Sequence, residues 1–593
     1  MKAACCQARR LFTGLAAVTV VCLALSPVLS AQGTDPGPRP PGTTPTPTSV
    51  CSIVAGIGND KFNDPSLGNP FCFDQDQPAS TPPQPPATGA GQIITNPGLP
   101  IDTMWFQALT VFSATAIVSS SATTASTITG LGPSFNALSC FGCHSEPAVG
   151  GASPGVVTVN GNKEATTLPP APGFPFVNET QNPEFIAANA EGASNTLPCF
   201  LVPPAATSGG CPGIALGDFP APLYFGNGPV VEVRFVKAVT SANPNVDPVS
   251  TGAVANLFTI ETRSDNSPGC SIGQEPITAQ ILAGNAIFRT PTPTFGLGFV
   301  ENTSDLTLET NAAALSSVKT GLGIVPGVFN RSGNDQTITR FGWKAQNKSL
   351  LMFAGEASNV EMGVTNELFP NERTTGAGSN CTPNELPEDQ ILGTNPQTDA
   401  SQISSVLQNN AVFMRLNGAP SQCDWTSTTS GGVPVCLNLG TNALKGQCLF
   451  GSSAATTSEF CSTNFPGIEP YGIGCVLCHS DSLTTSNSAQ PGLANQPFAP
   501  YSDFALHAMG SDGDGVMQGN AGPTQFRTAP LWGAGQRFFF MHDGRFFNLN
   551  NAVTGHCPSG HDTIKNESCG VISNYLNLSP TNETLILEFM RSL

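Results

Sequence analysis

The first long apolar run, Leu11 to Leu29, follows a basic start of Lys2, Arg9 and Arg10 and gives way to the small residues Ser30 and Ala31. A charged start, an apolar stretch and small residues after it mark an export leader, and Pro27 favours cleavage over anchoring. No later stretch is long and apolar enough to span a bilayer. Gln32 to Ser49 and Pro78 to Gly91 are rich in Pro, Thr and Gly and read as an extended tether with no core of its own. Order is expected from near Asn96. Trp105 to Val118 is apolar with helical character. Gly155–Asn160, Val230–Val236 and Leu257–Glu261 alternate apolar and polar positions between Gly, Pro and Asn, which predicts short strands among long loops. Asn366 to Phe460 is polar and reads as a long, loop-like connection. At the end, Ser579–Pro580 supplies a cap and a first-turn proline, and Leu585, Phe589 and Leu593 fall on one helical face.

These patterns divide the chain of 593 residues into a leader (1–31), a linker (32–95), an ordered region (96–375) with a β-rich insertion at about 155–280, a Cys-containing connection (376–460) and a C-terminal region (461–593). The formal net charge is −18, with 11% charged residues. An acidic surface repels phosphates, which excludes nucleic acid as a partner class and suits a basic electron donor. Of 19 cysteines, three lie in the leader and four in the motifs described next. The even remainder in an exported chain points to disulfides, of which Cys199–Cys211 and Cys557–Cys569 would close short loops.

Those motifs are CFGCH (Cys140, Cys143, His144) and GCVLCH (Cys475, Cys478, His479). Cys-x-x-Cys-His is the attachment site of a c-type haem. Two thiols add across the porphyrin vinyl groups, the spacer lets both reach one macrocycle, and the adjacent imidazole coordinates iron. A zinc pair would need a second ligand pair, and a redox disulfide has no use for the histidine. The pattern therefore calls for two covalently bound c-type haems.

Four stretches carry a family resemblance: LGPSFNALSCFGCHSEPAVGG (Leu131 to Gly151), FGLGFVENTSD (Phe295 to Asp305), TRFGWKAQ (Thr339 to Gln346) running to VEMGVT (Val360 to Thr365), and the tail from YSDFALHAMG (Tyr501 to Gly510) to the end. With them the chain resembles the di-haem cytochrome c peroxidase superfamily, in particular its di-haem oxidoreductase branch. The resemblance implies a mainly α fold of two cytochrome c-like domains, an N-terminal haem that meets peroxide, and a C-terminal haem that passes electrons to it.

It further implies His144 and His479 as proximal iron ligands and Glu361 as the acid over the peroxide site. Trp343 matches the tryptophan between the haems. His556 stands where the peroxidases carry a ligating Met, and the closer branch has His there; Met509, His507, Met517 and His561 are rival ligands. Where the peroxidases have a distal glutamine, Met352 falls nearby, a departure from their pattern. His542 reads as a group supporting a propionate, and Arg289 and Arg527 as propionate partners. Some peroxidases hold calcium between domains; SDGDG (Ser511 to Gly515) is short of a full calcium loop. The implied function is an exported, periplasmic or secreted oxidoreductase that takes electrons from a soluble donor such as a small cytochrome or cupredoxin and reduces hydrogen peroxide. The alternatives are a non-enzymatic di-haem carrier and a haem oxygenase or oxidase acting on an organic or protein substrate.

Overall fold

The computed structural model describes residues 32–35, 94–165, 185–188, 231–371, 405–418, 429–434 and 440–593, with gaps inside these ranges. The leader, most of the linker, the Cys199–Cys211 pair and His561 lie outside them. Twelve helices are described: α1 Ile101–Ser113, α2 Cys140–Cys143, α3 Leu297–Glu301, α4 Asp305–Ala313, α5 Ser316–Gly321, α6 Leu350–Met362, α7 Ser405–Leu416, α8 Thr441–Phe450, α9 Ala455–Asn464, α10 Leu549–Gly555, α11 Cys569–Leu576 and α12 Pro580–Arg591. The strands form small sheets of two or three members. They include three in the expected insertion: Val156–Val159, Glu232–Phe235 and Phe258–Arg263. No helix among the described residues is long and apolar enough to cross a membrane.

Two main cores organise these elements, and each takes in one haem motif. The first buries Trp105, Ala108 and Phe112 of α1 against Ala411 and Phe413 of α7, Leu350 and Ala354 of α6, and Phe295 and Phe299; Cys140 packs on its edge. Stacking of Phe112 on Phe413 at 4.3 Å ties α1 to α7. The second gathers Leu449 and Phe450 of α8, Leu549, Ala552 and Val553 of α10, Ile572 and Tyr575 of α11, and Leu585, Ile586 and Phe589 of α12, with Cys475 against it. Helices α8 and α12 cross at Gly446, where a Cβ would collide with the Leu585 carbonyl. The apolar face foreseen for the last helix is real: Ser579 accepts from Asn582 N at 3.3 Å, Pro580 opens the first turn, and Leu585, Phe589 and Leu593 are buried.

Two readings change. The polar stretch from Asn366 to Phe460 is not all connection, because α7 and α8 inside it supply core residues to both clusters. In α7, Val406, Leu407, Ala411 and Met414 recur at helical spacing beneath a polar composition that masked them. The tether also has an anchored piece. Gly33 N bonds the Glu583 carboxylate, Thr34 N reaches Thr584 Oγ1 at 2.9 Å, and Asp35 pairs with buried Arg591 at 2.8 Å. The same Asp35 accepts from Leu549 N at 2.6 Å and so caps α10.

Disulfides join Cys448 to Cys461 and, as expected, Cys557 to Cys569.

Candidate functional site

The first motif forms a single helical turn. Ser139 Oγ caps it through Gly142 N at 3.1 Å, and His144 N closes it on Cys140 O at 3.0 Å. The His144 Nδ1 sits 3.0 Å from the Gly151 carbonyl. The second motif is a tighter turn entered through Gly474 at φ 113°, a left-handed conformation that glycine adopts without strain. His479 N closes it on Cys475 O at 2.9 Å, and its Nδ1 lies 2.9 Å from Tyr501 O. His556, at the C-terminal end of α10, repeats the device with Nδ1 2.7 Å from Ala552 O. A neutral imidazole that donates its Nδ1 proton to a carbonyl keeps a bare lone pair on Nε2, the arrangement of an oriented iron ligand. Burial pulls the pKa of His144 and His479 down to about 4, so both are neutral near pH 7.

Further observations fit haem at these motifs. Cys140, Cys143, Cys475 and Cys478 are free thiols, whereas Cys448, Cys461, Cys557 and Cys569 are paired. Thr292, Phe341, Trp343, Phe353, Arg340, Arg527, Trp532 and Arg537 line a cleft of about 470 Å³, open mouth included. Arg527 Nε donates to Gly342 O at 2.9 Å and Arg537 to Trp532 O at 3.3 Å, and neither forms an ion pair among the described residues. Burial lowers the pKa of each to about 10. Guanidinium groups held only by carbonyls, with Arg527 buried and Arg537 half-buried, want an anion, and a propionate is one.

The two motifs differ in what surrounds them. His556 lies close enough to His479 to disfavour its charge. Beside the first motif, Glu361 acts electrostatically on both Cys140 and Cys143. Glu361 lies in the last turn of α6, where its carbonyl accepts from Asn136 N at 2.7 Å and Ala137 N at 3.0 Å, and Gly363 at φ 65° then turns the chain away. The end of α6 is thereby fixed to the loop that enters CFGCH.

The remaining candidates fall as follows. Trp343 lines the cleft and donates to Thr290 O at 2.7 Å; Thr290 N in turn donates to His542 O at 2.7 Å. The His542 ring stacks on Phe526 at 4.3 Å and stands edge-on to Trp343 at 6.3 Å. Arg289 is committed to Asp514 and Gln518. Lys344 Nζ takes Asp514 at 3.0 Å and the carbonyls of Gly522 and Gln525 at 2.9 Å, while Asp512 pairs with Arg545. The acids of SDGDG thus face Arg and Lys side chains. Among the described residues no group of three or more His, Cys, Asp or Glu gathers to hold a bare metal ion. His507 has both ring nitrogens on carboxylates, Glu567 at 2.9 Å and Asp503 at 3.1 Å, which leaves no lone pair for iron. Met352 is 37% exposed and Met517 66%.

Three contributors went unread in the sequence. Arg537 sits in the quoted tail without a motif of its own. Glu232 and Arg234 sit two apart in an alternating strand, and that period put them on one face.

A pair of Cys-x-x-Cys-His turns with oriented imidazoles and anion-seeking arginines describes a two-haem protein. Residues 467–593 match the family model described as "Di-haem oxidoreductase, putative peroxidase", so the resemblance holds for that segment and the enzyme class is a peroxidase-like oxidoreductase. Two solved structures are similar in part. One is a variant of the di-haem peroxidase BthA from Burkholderia thailandensis, with 14% identity over 51% of this chain and 86% of that one and a TM-score of 0.22. The other is hydrazine synthase from Kuenenia stuttgartiensis, with 12% identity over 51% and 89% and a TM-score of 0.22. No curated protein matches the chain.

Proposed function

We propose that the chain is an exported di-haem c-type enzyme of two cytochrome c-like domains that draws electrons from a soluble donor and reduces hydrogen peroxide. When bound, the haems would supply one-electron redox chemistry. Cys140 and Cys143 tether one and His144 orients it; Cys475, Cys478, His479 and His556 hold the other. His556 closes the second site to small molecules, which suits it to electron entry, and Trp343 lies on the route to the first. Arg527 and Arg537 neutralise propionates. Glu361 carries the proton that the departing oxygen needs as the O–O bond breaks. The disulfides and the thioether chemistry both belong to an oxidising compartment outside the cytoplasm.

The observation that carries this reading is the contrast at the two motifs, an imidazole near His479 and a carboxyl near the His144 turn. The test is Glu361→Gln with both haems loaded. Peroxide turnover should fall by roughly 10²–10⁴-fold, the usual worth of a positioned acid or base. Turnover equal to the parent's would refute the assignment.

A further inference from the structure

We propose that His507 is a positioning residue that ties the support of His479 to the support of His556 and so fixes how the two imidazoles of the second site face each other. This deepens the proposed function and rests on its assignment of both histidines to one iron.

His507 lies on the strand Leu506–Ala508, whose antiparallel partner is Gln525–Arg527. Its ring is buried between two buried carboxyls, Asp503 and Glu567. Nε2 stands 3.1 Å from Asp503 Oδ2, and Nδ1 stands 2.9 Å from Glu567 Oε2. Backbone donors hold each carboxyl in place. Ala505 N donates to Asp503 Oδ1 at 3.0 Å, and Val325 N and Ala508 N donate to Glu567 at 2.9 and 3.2 Å. Ionised carboxyls only accept, so a ring set between two of them donates from both nitrogens.

The two carboxyls belong to the two ligand supports. Asp503 N donates to Cys478 O at 2.8 Å, and two residues earlier the Tyr501 carbonyl faces His479 Nδ1 at 2.9 Å. Glu567 stands between Asn566 and Ser568. Asn566 Nδ2 and Ser568 Oγ both donate to the His556 carbonyl, at 2.9 and 2.6 Å. Glu567 N also donates to Ala508 O at 2.8 Å, beside His507. One side chain thus spans from the loop that orients one imidazole to the segment that grips the other.

Groups that support a ligand from behind set its orientation, and their loss is felt at the metal. Glutamine cannot take over the span. Its amide carries both donors on one nitrogen, whereas the two carboxyls lie at opposite ends of the ring. Asparagine at position 503 can preserve it. Its oxygen keeps the Ala505 bond, its amide nitrogen donates to His507 Nε2, and Nδ1–H still donates to Glu567. The ring is then neutral but joined at both ends, which separates the span from its charge.

The experiment compares parent, His507→Gln, Asp503→Asn and His556→Ala, each haem-loaded. The readouts are the low-spin ferric electron paramagnetic resonance signal of the second haem, whose g values follow the angle between the imidazole planes, and cyanide binding there, which must displace an imidazole. In His507→Gln the signal should move and cyanide should bind roughly 10–100-fold more tightly, the usual effect of losing such a support, while the first haem's signal holds. Asp503→Asn should stay with the parent in both. Signal and affinity of His507→Gln superimposed on the parent's would overturn the proposal, as would Asp503→Asn displaced as far as His507→Gln. Should His507→Gln fail to fold, Asp503→Ala cuts one arm in its place: a moved signal supports the span and an unmoved one overturns it. His556→Ala tells the two failures apart. A low-spin signal that survives it sinks the ligand pair itself, whereas its loss beside an unmoved His507→Gln signal sinks the span alone.

Discussion

Around Cys140 and His144 the polar neighbours are acids and guanidinium groups, namely Glu361, Glu232 and Arg234. Around Cys475 and His479 they are imidazoles, with His556 and His507 both acting on His479. The turns themselves are nearly alike, each with a histidine whose Nδ1 rests on a backbone carbonyl. The difference between the two sites therefore lies outside the motif, in the side chains that surround each turn.

The supports differ as well. His556 stands on a short helix capped at one end by Asp35 and followed at the other by the Cys557–Cys569 bridge. Its carbonyl accepts from Asn566 Nδ2 at 2.9 Å and Ser568 Oγ at 2.6 Å. Glu361 is held by the packing of α6 in the first core and by Asn136 Nδ2, which donates to its Oε2 at 3.0 Å. The second site is bound into the C-terminal scaffold, and the first rests on the helix that ends beside its motif.

The sharpest way to break this contrast is to open the second site. With haems loaded, His556→Ala should convert the low-spin spectrum of the second haem to one that responds to cyanide or carbon monoxide. An unaltered low-spin spectrum would place the ligand elsewhere. Next in size is Asp35→Ala, which removes one partner of a buried ion pair and a cap of α10, and should cost about 3–5 kcal/mol in denaturant unfolding. A loss below about 1 kcal/mol, the level of an exposed pair, would show that residues 33–35 do not brace the second site. Replacing Cys448 and Cys461 together by Ser opens a small loop and should cost about 3 kcal/mol. The thermal midpoint of the second site should fall while the spectrum of the first holds.

The smallest effect is a pH dependence near the second motif. Burial opposes charge on His507, but the Cys478 sulfur, which acts this way only as an untethered thiol, and the Asp503 carboxylate outweigh it and raise its pKa above the usual value. Asp503 and Glu567 are lowered by His507 despite burial. A raised histidine contributes stability that is whole below its unfolded value and lost as pH climbs through the folded one. Lowered carboxylates contribute stability that is whole above their unfolded values and lost as pH falls through the folded ones. Stability should thus be flat in mildly acid solution and decline at both ends. His507→Gln should remove the alkaline decline, worth about 1.4 kcal/mol for each pH unit between the unfolded and folded midpoints, and a decline that persists would assign it to another group.

Much of the chemistry was written in local spacing. Cys140, Cys143 and His144, and Cys475, Cys478 and His479, are read without any fold because attachment needs a fixed short interval. The Ser579–Pro580 start and the Leu585, Phe589, Leu593 face are local too, since capping and helical period act over a few residues. Glu361 and His556 needed the family pattern, for a lone Glu or His carries no interval to recognise. The Cys557–Cys569 bridge was legible because a short loop makes pairing easy.

What the one-dimensional chain determined was the pair of Cys-x-x-Cys-His turns, the helical end and the strand character of the insertion. Tertiary structure alone decided that Asn136 meets Glu361, that Arg537 joins Arg527 in one cleft, that His507 is spent between two carboxylates and that Asp35 reaches Arg591. Those partners lie from 4 to 556 residues apart along the chain. Side-chain protonation and charge pairing depend on who is near in space and how little water remains, and neither is encoded in the order of neighbours along a backbone.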